Sequence, residues 1–99
     1  MNLPIDIDQK QIETFCHKHH LTKLALFGSV LTEQFGPDSD VDVLFEYDPD
    51  HVPSLFAVAR MERELSEILG RKADMRTPQD LSRYFREEVV QNAVVQYVA

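Results

Sequence analysis

The 99-residue sequence has no tryptophan, a single cysteine and three glycines, and it is short of positive charge, with ten Lys and Arg against seventeen Asp and Glu. Cys16 cannot form an internal disulfide and has no second ligand at metal-binding spacing, so it reads as a small helix-packing residue. No apolar run approaches the roughly 20 residues that span a bilayer, and no membrane partner is expected. The opening Met1-Asn2-Leu3-Pro4-Ile5-Asp6 has neither the basic region nor the apolar core of a secretory leader, which predicts a cytoplasmic protein. The deficit of positive charge is concentrated: residues 1–50 carry ten acidic and three basic side chains, residues 51–99 seven of each. Nucleic-acid binders neutralise phosphates with Lys and Arg, so a net charge of −7 and a pI near 4.9 argue against a direct nucleic-acid partner. The same acidity suits divalent cations, which let carboxylates accept a nucleotide's phosphates.

What remains is the composition of an ordinary globular domain, 43% apolar and 27% charged. The length predicts one domain over residues 1–99, with little room for a second, substrate-binding domain. An enzyme of this size must let its substrate complete the site.

The pattern along the chain predicts alternating helices and strands. Asp8 can cap a helix over roughly residues 9–19, with Ile12, Phe15, Cys16 and His19 on its apolar stripe. Thr22–Phe27 reads as a buried strand ended by Gly28, Ser29–Phe35 as a short helix, 36–39 as a loop, and Val41–Tyr47 as a second strand. Ser54 caps a helix to about Leu69 with Gly70 as its stop; its apolar face, Leu55, Val58, Ala59, Leu65, Ile68 and Leu69, is broken once by Glu62. Lys72–Arg76 reads as a short strand, Thr77-Pro78 as a capped turn, and a final helix is expected from about Asp80 or Arg83 to Tyr97. This order implies an α+β sandwich, a small mixed sheet with flanking helices on one side. The final segment holds more apolar residues than one buried stripe needs, which suits a docking surface for a second copy or another protein.

Two motifs carry chemistry. Gly28-Ser29 ends an apolar strand and can bring the backbone close to a phosphate, with the Ser29 hydroxyl and N–H at a helix start. Ten residues on, Asp40 and Asp42 stand at i and i+2, so on a strand they share a face about 6 Å apart. Two charges at that distance repel by roughly 3 kcal/mol at an effective dielectric near 20, which favours a bound cation. Asp74, on the predicted third strand, can complete the set if the strands pair. Three carboxylates with two Mg²⁺ ions would form a clamp for in-line displacement on a triphosphate.

The same residues also admit blander and rival roles. Gly-Ser can be a plain turn and the aspartates charges that blunt an edge strand. Asp38, Asp40 and Asp42 alternate as in a calcium loop, but Val43 and Pro49 stand where that loop needs glycine and glutamate. His17, His19 and His20 diverge at a helix end and read as surface residues. Arg60, Arg63, Arg71, Lys72 and Arg76, interspersed with Glu62, Glu64 and Glu67, read as a solvated face.

Leu26-Phe27-Gly28-Ser29 followed by Asp40-Val41-Asp42 resembles the Gly-Ser-x10-Asp-x-Asp signature of the polymerase-beta-like nucleotidyltransferases. With Phe56–Glu62, Gly70–Asp74 and Asp80–Arg86, the chain is similar over nearly its whole length to the minimal nucleotidyltransferase (MNT) antitoxins that pair with HEPN-domain toxins. The resemblance implies catalytic and metal roles for Asp40, Asp42 and Asp74, nucleotide binding at Gly28 and Ser29, and Mg²⁺ with ATP as substrate. It further implies transfer of AMP to a tyrosine hydroxyl of a cognate HEPN RNase, within a homo- or hetero-oligomer. Val30 departs from the Arg that many superfamily members place after Gly-Ser. Two alternatives are a non-catalytic antitoxin that masks its toxin, and a nucleotidyltransferase subunit for a small hydroxyl compound.

Overall fold

The computed structural model describes residues 3–99. The elements are α1 (Gln9–Lys18), β1 (Leu21–Phe27), β2 (Val41–Tyr47), α2 (Leu55–Leu69), β3 (Ala73–Arg76), α3 (Arg86–Asn92) and β4 (Val94–Val98), with 3₁₀ turns at Gly28–Leu31 and Pro78–Asp80. The four strands form one mixed sheet in the order β3-β2-β1-β4. β1 pairs antiparallel with both β2 and β4, and β2 pairs parallel with β3.

Local signals set most of these limits. The Asp8 carboxylate accepts the Lys10 and Gln11 N–H groups at the start of α1, and the Ser54 hydroxyl accepts from Ala57 N at the start of α2, each supplying an acceptor for helix N–H groups that have none within the helix. Gly70, with φ +69°, ends α2 in the left-handed conformation that glycine adopts without a Cβ penalty. The core lies between the sheet and the helix pair: Ile12, Phe15 and Cys16 of α1 and Met61, Leu65 and Leu69 of α2 close on Leu24, Leu26, Val43, Phe45 and Met75. Cys16 is fully buried, and burial pushes its thiol up to about 12, which leaves it inert packing. Ala25 and Leu44, paired across β1 and β2 and alternating with those core residues, are buried as well, so the opposite face of the sheet is also partly covered.

Three expectations are corrected. The last helix stops at Asn92 instead of reaching Tyr97: Ala93 turns extended, and Val94–Val98 pairs with β1 as strand β4. β-branched and aromatic side chains favour a pleated strand, and β1 would otherwise expose a row of unpaired backbone groups. The apolar surplus is divided by an irregularity in β4, whose register against β1 shifts between Tyr97 and Val95, so that Tyr97 packs on the core while Val95 and Val98 stand exposed. The helix expected over Ser29–Phe35 is a single 3₁₀ turn ending at Leu31, because the Ser29 carbonyl accepts from both the N–H and the hydroxyl of Thr32. On α2 the buried row is Met61, Leu65 and Leu69 at spacing of four, so the stripe is rotated from the expected one and Leu55 stands in solvent at 89% exposure.

Candidate active site

Strand pairing assembles the site. Asp42 lies opposite Phe27 on β1 and opposite Asp74 on β3, so the end of β1, with Gly28 next in the chain, and two carboxylates meet at one end of the sheet, on the face away from α1 and α2. Asp40 sits just before β2, in the last residue of the loop. Gly28 has φ +78°, and a Cβ there would run into the Asp42 Oδ2 atom. The glycine backbone therefore passes directly over the carboxylate, and a ligand lying along Gly28-Ser29 reaches Asp42 at once.

The electrostatics are those of a crowded anionic site. Burial pushes the Asp42 carboxyl above its usual range, the charges of Asp74 and then Asp40 push it further, and Arg76 opposes them. Asp74 pairs with Arg76 at 3.2 Å and Asp40 with Lys72 at 3.8 Å. Among the described residues no three His, Cys, Asp or Glu side chains converge as a ready metal site. The donor set still fits Mg²⁺: three carboxylates supply hard oxygen ligands, Asp42 faces two like charges against one opposing guanidinium, and Asp40 is exposed and Asp74 half-buried.

Arg71 and Glu62, expected on a solvated face, position this site together with Ser66. The Arg71 guanidinium donates to the carbonyls of Gly36 and Ser39, each at 2.6 Å, and lies over the Phe35 ring, tying down the loop that leads into Asp40. Glu62, the single break in the expected apolar face, accepts the Met75 N–H at 2.7 Å. Ser66 accepts the Ala73 N–H at 2.9 Å and donates to the Glu62 carbonyl. Ala73 and Met75 flank Asp74, so α2 satisfies the free edge of β3 and fixes the register of the third carboxylate. A polar residue interrupting a helical stripe was the available signal for Glu62; nothing local marked Arg71 or Ser66. Glu62→Ala leaves the Met75 N–H unpaired, an expected cost of about 1–3 kcal/mol, read as a lower unfolding midpoint in urea. Glu62→Gln keeps an acceptor oxygen and is expected to recover most of that loss.

The other motifs stay apart. His17 meets the Tyr97 ring, His19 pairs with Glu64 at 2.8 Å, and His20 stacks on His51 with ring centroids 3.7 Å apart. The single 3₁₀ turn after Gly28 is too short for a substantial dipole, so any phosphate grip there rests on backbone N–H groups and the half-buried Ser29. Val30 is buried in the core, which accounts for an apolar residue in place of Arg. No helix among the described residues is long and apolar enough to cross a membrane.

Comparison with known proteins converges on one family. The model of the nucleotidyltransferase domain matches residues 9–96. Two proteins of Methanocaldococcus jannaschii that carry the provisional name protein adenylyltransferase are similar: one is 29% identical over 78% of this chain and 81% of its own length, the other 24% identical over 91% and 90%. Among solved structures, a minimal nucleotidyltransferase superposes with a TM-score of 0.70 at 27% identity, covering 87% of this chain and 86% of that one. A toxin–antitoxin complex with AMP-PNP gives a TM-score of 0.73 at 17% identity, over 94% of this chain and 75% of that one. An MNT antitoxin bound to a tri-AMPylated HEPN toxin of Shewanella oneidensis gives 0.65 at 17%, over 92% and 70%. With the family model spanning nearly the whole chain, and with the Gly-Ser turn lying over an aspartate of a minimal nucleotidyltransferase sheet, this protein belongs to the nucleotidyltransferase domain family and is a nucleotidyltransferase.

Proposed function

We propose that this chain is the antitoxin of a toxin–antitoxin pair and acts as a protein adenylyltransferase, moving AMP from Mg-ATP to a tyrosine hydroxyl of a cognate HEPN-domain RNase. The observation that carries the reading is the register Phe27–Asp42–Asp74, which sets the Gly-Ser turn and two carboxylates side by side. The provisional names of the M. jannaschii relatives, and the AMPylated HEPN toxin bound by one structural neighbour, support the choice of acceptor.

In this mechanism Asp40, Asp42 and Asp74 would hold Mg²⁺, which when bound supplies charge neutralisation for the triphosphate. Gly28 and Ser29 bind the outer phosphates through backbone N–H and hydroxyl groups. The acceptor hydroxyl oxygen bonds to the α-phosphorus as the bond from that phosphorus to the bridging oxygen breaks, and pyrophosphate leaves with the electron pair. Asp74, at the outer side of the pair, takes the hydroxyl proton and passes it to water. Catalysis of this kind is mostly positioning and electrostatics, which a small domain can supply.

The test is peptide mapping of the cognate HEPN protein after incubation with this chain, magnesium and ATP. AMP on a tyrosine, together with loss of RNase activity, is the expected result. An unmodified HEPN protein silenced by binding alone would instead make this chain a masking antitoxin.

A further inference from the structure

The proposed nucleotide site is rich in carboxylates, and its Gly28-Ser29 turn is followed by Val30, which is buried and brings no charge to a bound phosphate. Three cations border the site, and each is held differently. The Arg71 guanidinium is committed to the Gly36 and Ser39 carbonyls, each at 2.6 Å. Arg76 is hydrogen-bonded to Asp74 at 3.2 Å. Lys72 is the loosely engaged one: its Nζ stands 3.8 Å from Asp40 Oδ2, beyond hydrogen-bond distance, and its side chain is 77% exposed. Its root is nevertheless fixed, because the Lys72 carbonyl accepts the Val41 N–H at 2.8 Å where β2 and β3 begin. The ammonium is therefore tethered beside Asp40 with a free tip.

We propose that Lys72 is a phosphate-binding residue that changes partners: it pairs with Asp40 in the free protein and turns to the triphosphate when Mg-ATP binds. Exposed ion pairs contribute little, so the contact with Asp40 breaks readily. The ammonium is repelled by a divalent cation on Asp40 and attracted, in the same step, by the phosphates that arrive with it. Two ligands at right angles on an ion with bonds of about 2.1 Å lie about 3 Å apart. A phosphate oxygen sharing the ion with Asp40 thus falls within reach of an ammonium already 3.8 Å from that carboxylate. Lysine meets phosphate as a flexible point charge, which suits a residue that exchanges one anion for another. The assignment rests on the Mg-ATP chemistry proposed above and is independent of the acceptor.

Calorimetric titration of the parent, Lys72→Met and Lys23→Met with Mg-AMP-PNP, and separately with Mg²⁺ alone, tests this. Lys72→Met keeps the stem of an exposed side chain and is expected to fold as the parent does. It should raise Kd for Mg-AMP-PNP by about ten-fold or more, the loss of one charge-assisted contact. Mg²⁺ alone should bind at least as tightly as to the parent, because a competitor for Asp40 is gone. Lys23→Met removes the same charge from a side chain that pairs with Glu46, toward the other end of β1 from Phe27 and Asp42, and should leave both affinities unchanged. An unchanged Kd for Mg-AMP-PNP in Lys72→Met, or an equal rise in Lys23→Met, would overturn the proposal. Weaker binding of Mg²⁺ alone to Lys72→Met would overturn it too, by making Lys72 a support for the carboxylates. No acceptor is present in these titrations, so the expected shift holds even if the HEPN protein is left unmodified, and its absence leaves the transfer reading standing.

Discussion

Replacing Asp40 and Asp42 together with asparagine is expected to abolish nucleotidyl transfer and, in the same protein, to raise the melting temperature. The two effects share one cause. Burial and the neighbouring charges of Asp74 and Asp40 push the Asp42 carboxyl above its usual range, so the folded state opposes its ionisation. A carboxyl with a raised folded pKa binds its proton more tightly when folded, so stability is greater at acid pH and falls as pH rises from the unfolded pKa through the folded one. Neutral amides remove that cost at pH 7 and preserve the shape of the site. In the proposed mechanism they also remove the ligands for a cation worth several kcal/mol to the transition state, a loss of about three orders of magnitude or more in rate. Thermal melts and transfer assays on the same preparation check both halves. A double variant that melts lower than the parent would contradict the electrostatic account, and one that still transfers would remove these aspartates from the mechanism.

The second large effect is at Gly28. Gly28→Ala meets two penalties: φ +78° costs a residue with a Cβ about 1–2 kcal/mol, and the new methyl collides with the Asp42 carboxylate. Either the turn or Asp42 must move, and transfer is expected to fall by about a hundred-fold, the cost of a displacement near 1 Å in a site that works by positioning. Gly70→Ala is the matched control. Gly70 has a similar φ of +69° with nothing within 4 Å of an added Cβ, so it bears the conformational cost alone and should leave the specific activity of the folded enzyme unchanged. Equal loss of activity in both variants would show that the site tolerates the methyl and that only backbone strain matters.

The contrast between these glycines shows what was legible in the sequence. Helix caps at Asp8 and Ser54, the stop at Gly70 and the limits of β2 come from local chemistry, in which a side chain and its near neighbours decide, and the structure places them as expected. The pairing of Asp42 with Asp74 was readable only as a possibility, since it depends on two strands separated by α2 coming side by side. Strand β4 was misread as helix because its valines satisfy either period, and only the open edge of β1, a tertiary fact, settles the choice. Arg71 and Ser66 were invisible for a related reason: their value lies in backbone groups of the 36–39 loop and of β3 that they reach after folding. Glu62 left a trace, a charge in an apolar stripe, and the Met75 N–H explains it.

These positioning contacts also bear on why so small a domain can hold an active site. α2 satisfies the free edge of β3 through Glu62 and Ser66, and Arg71 anchors the loop before Asp40, so two of the three carboxylates are referenced to one helix–strand junction. The third, Asp42, is held between β1 and β3 in the sheet itself. Little more is needed if the acceptor protein supplies the remaining wall of the site.

The most direct test of the central claim is intact-mass spectrometry of the cognate HEPN protein after incubation with this chain, magnesium and ATP, run beside the Asp40→Asn/Asp42→Asn variant. The account predicts mass increments of whole AMP groups with the parent chain and none with the variant. A HEPN protein of unchanged mass, bound stably and silenced by both chains alike, would contradict it.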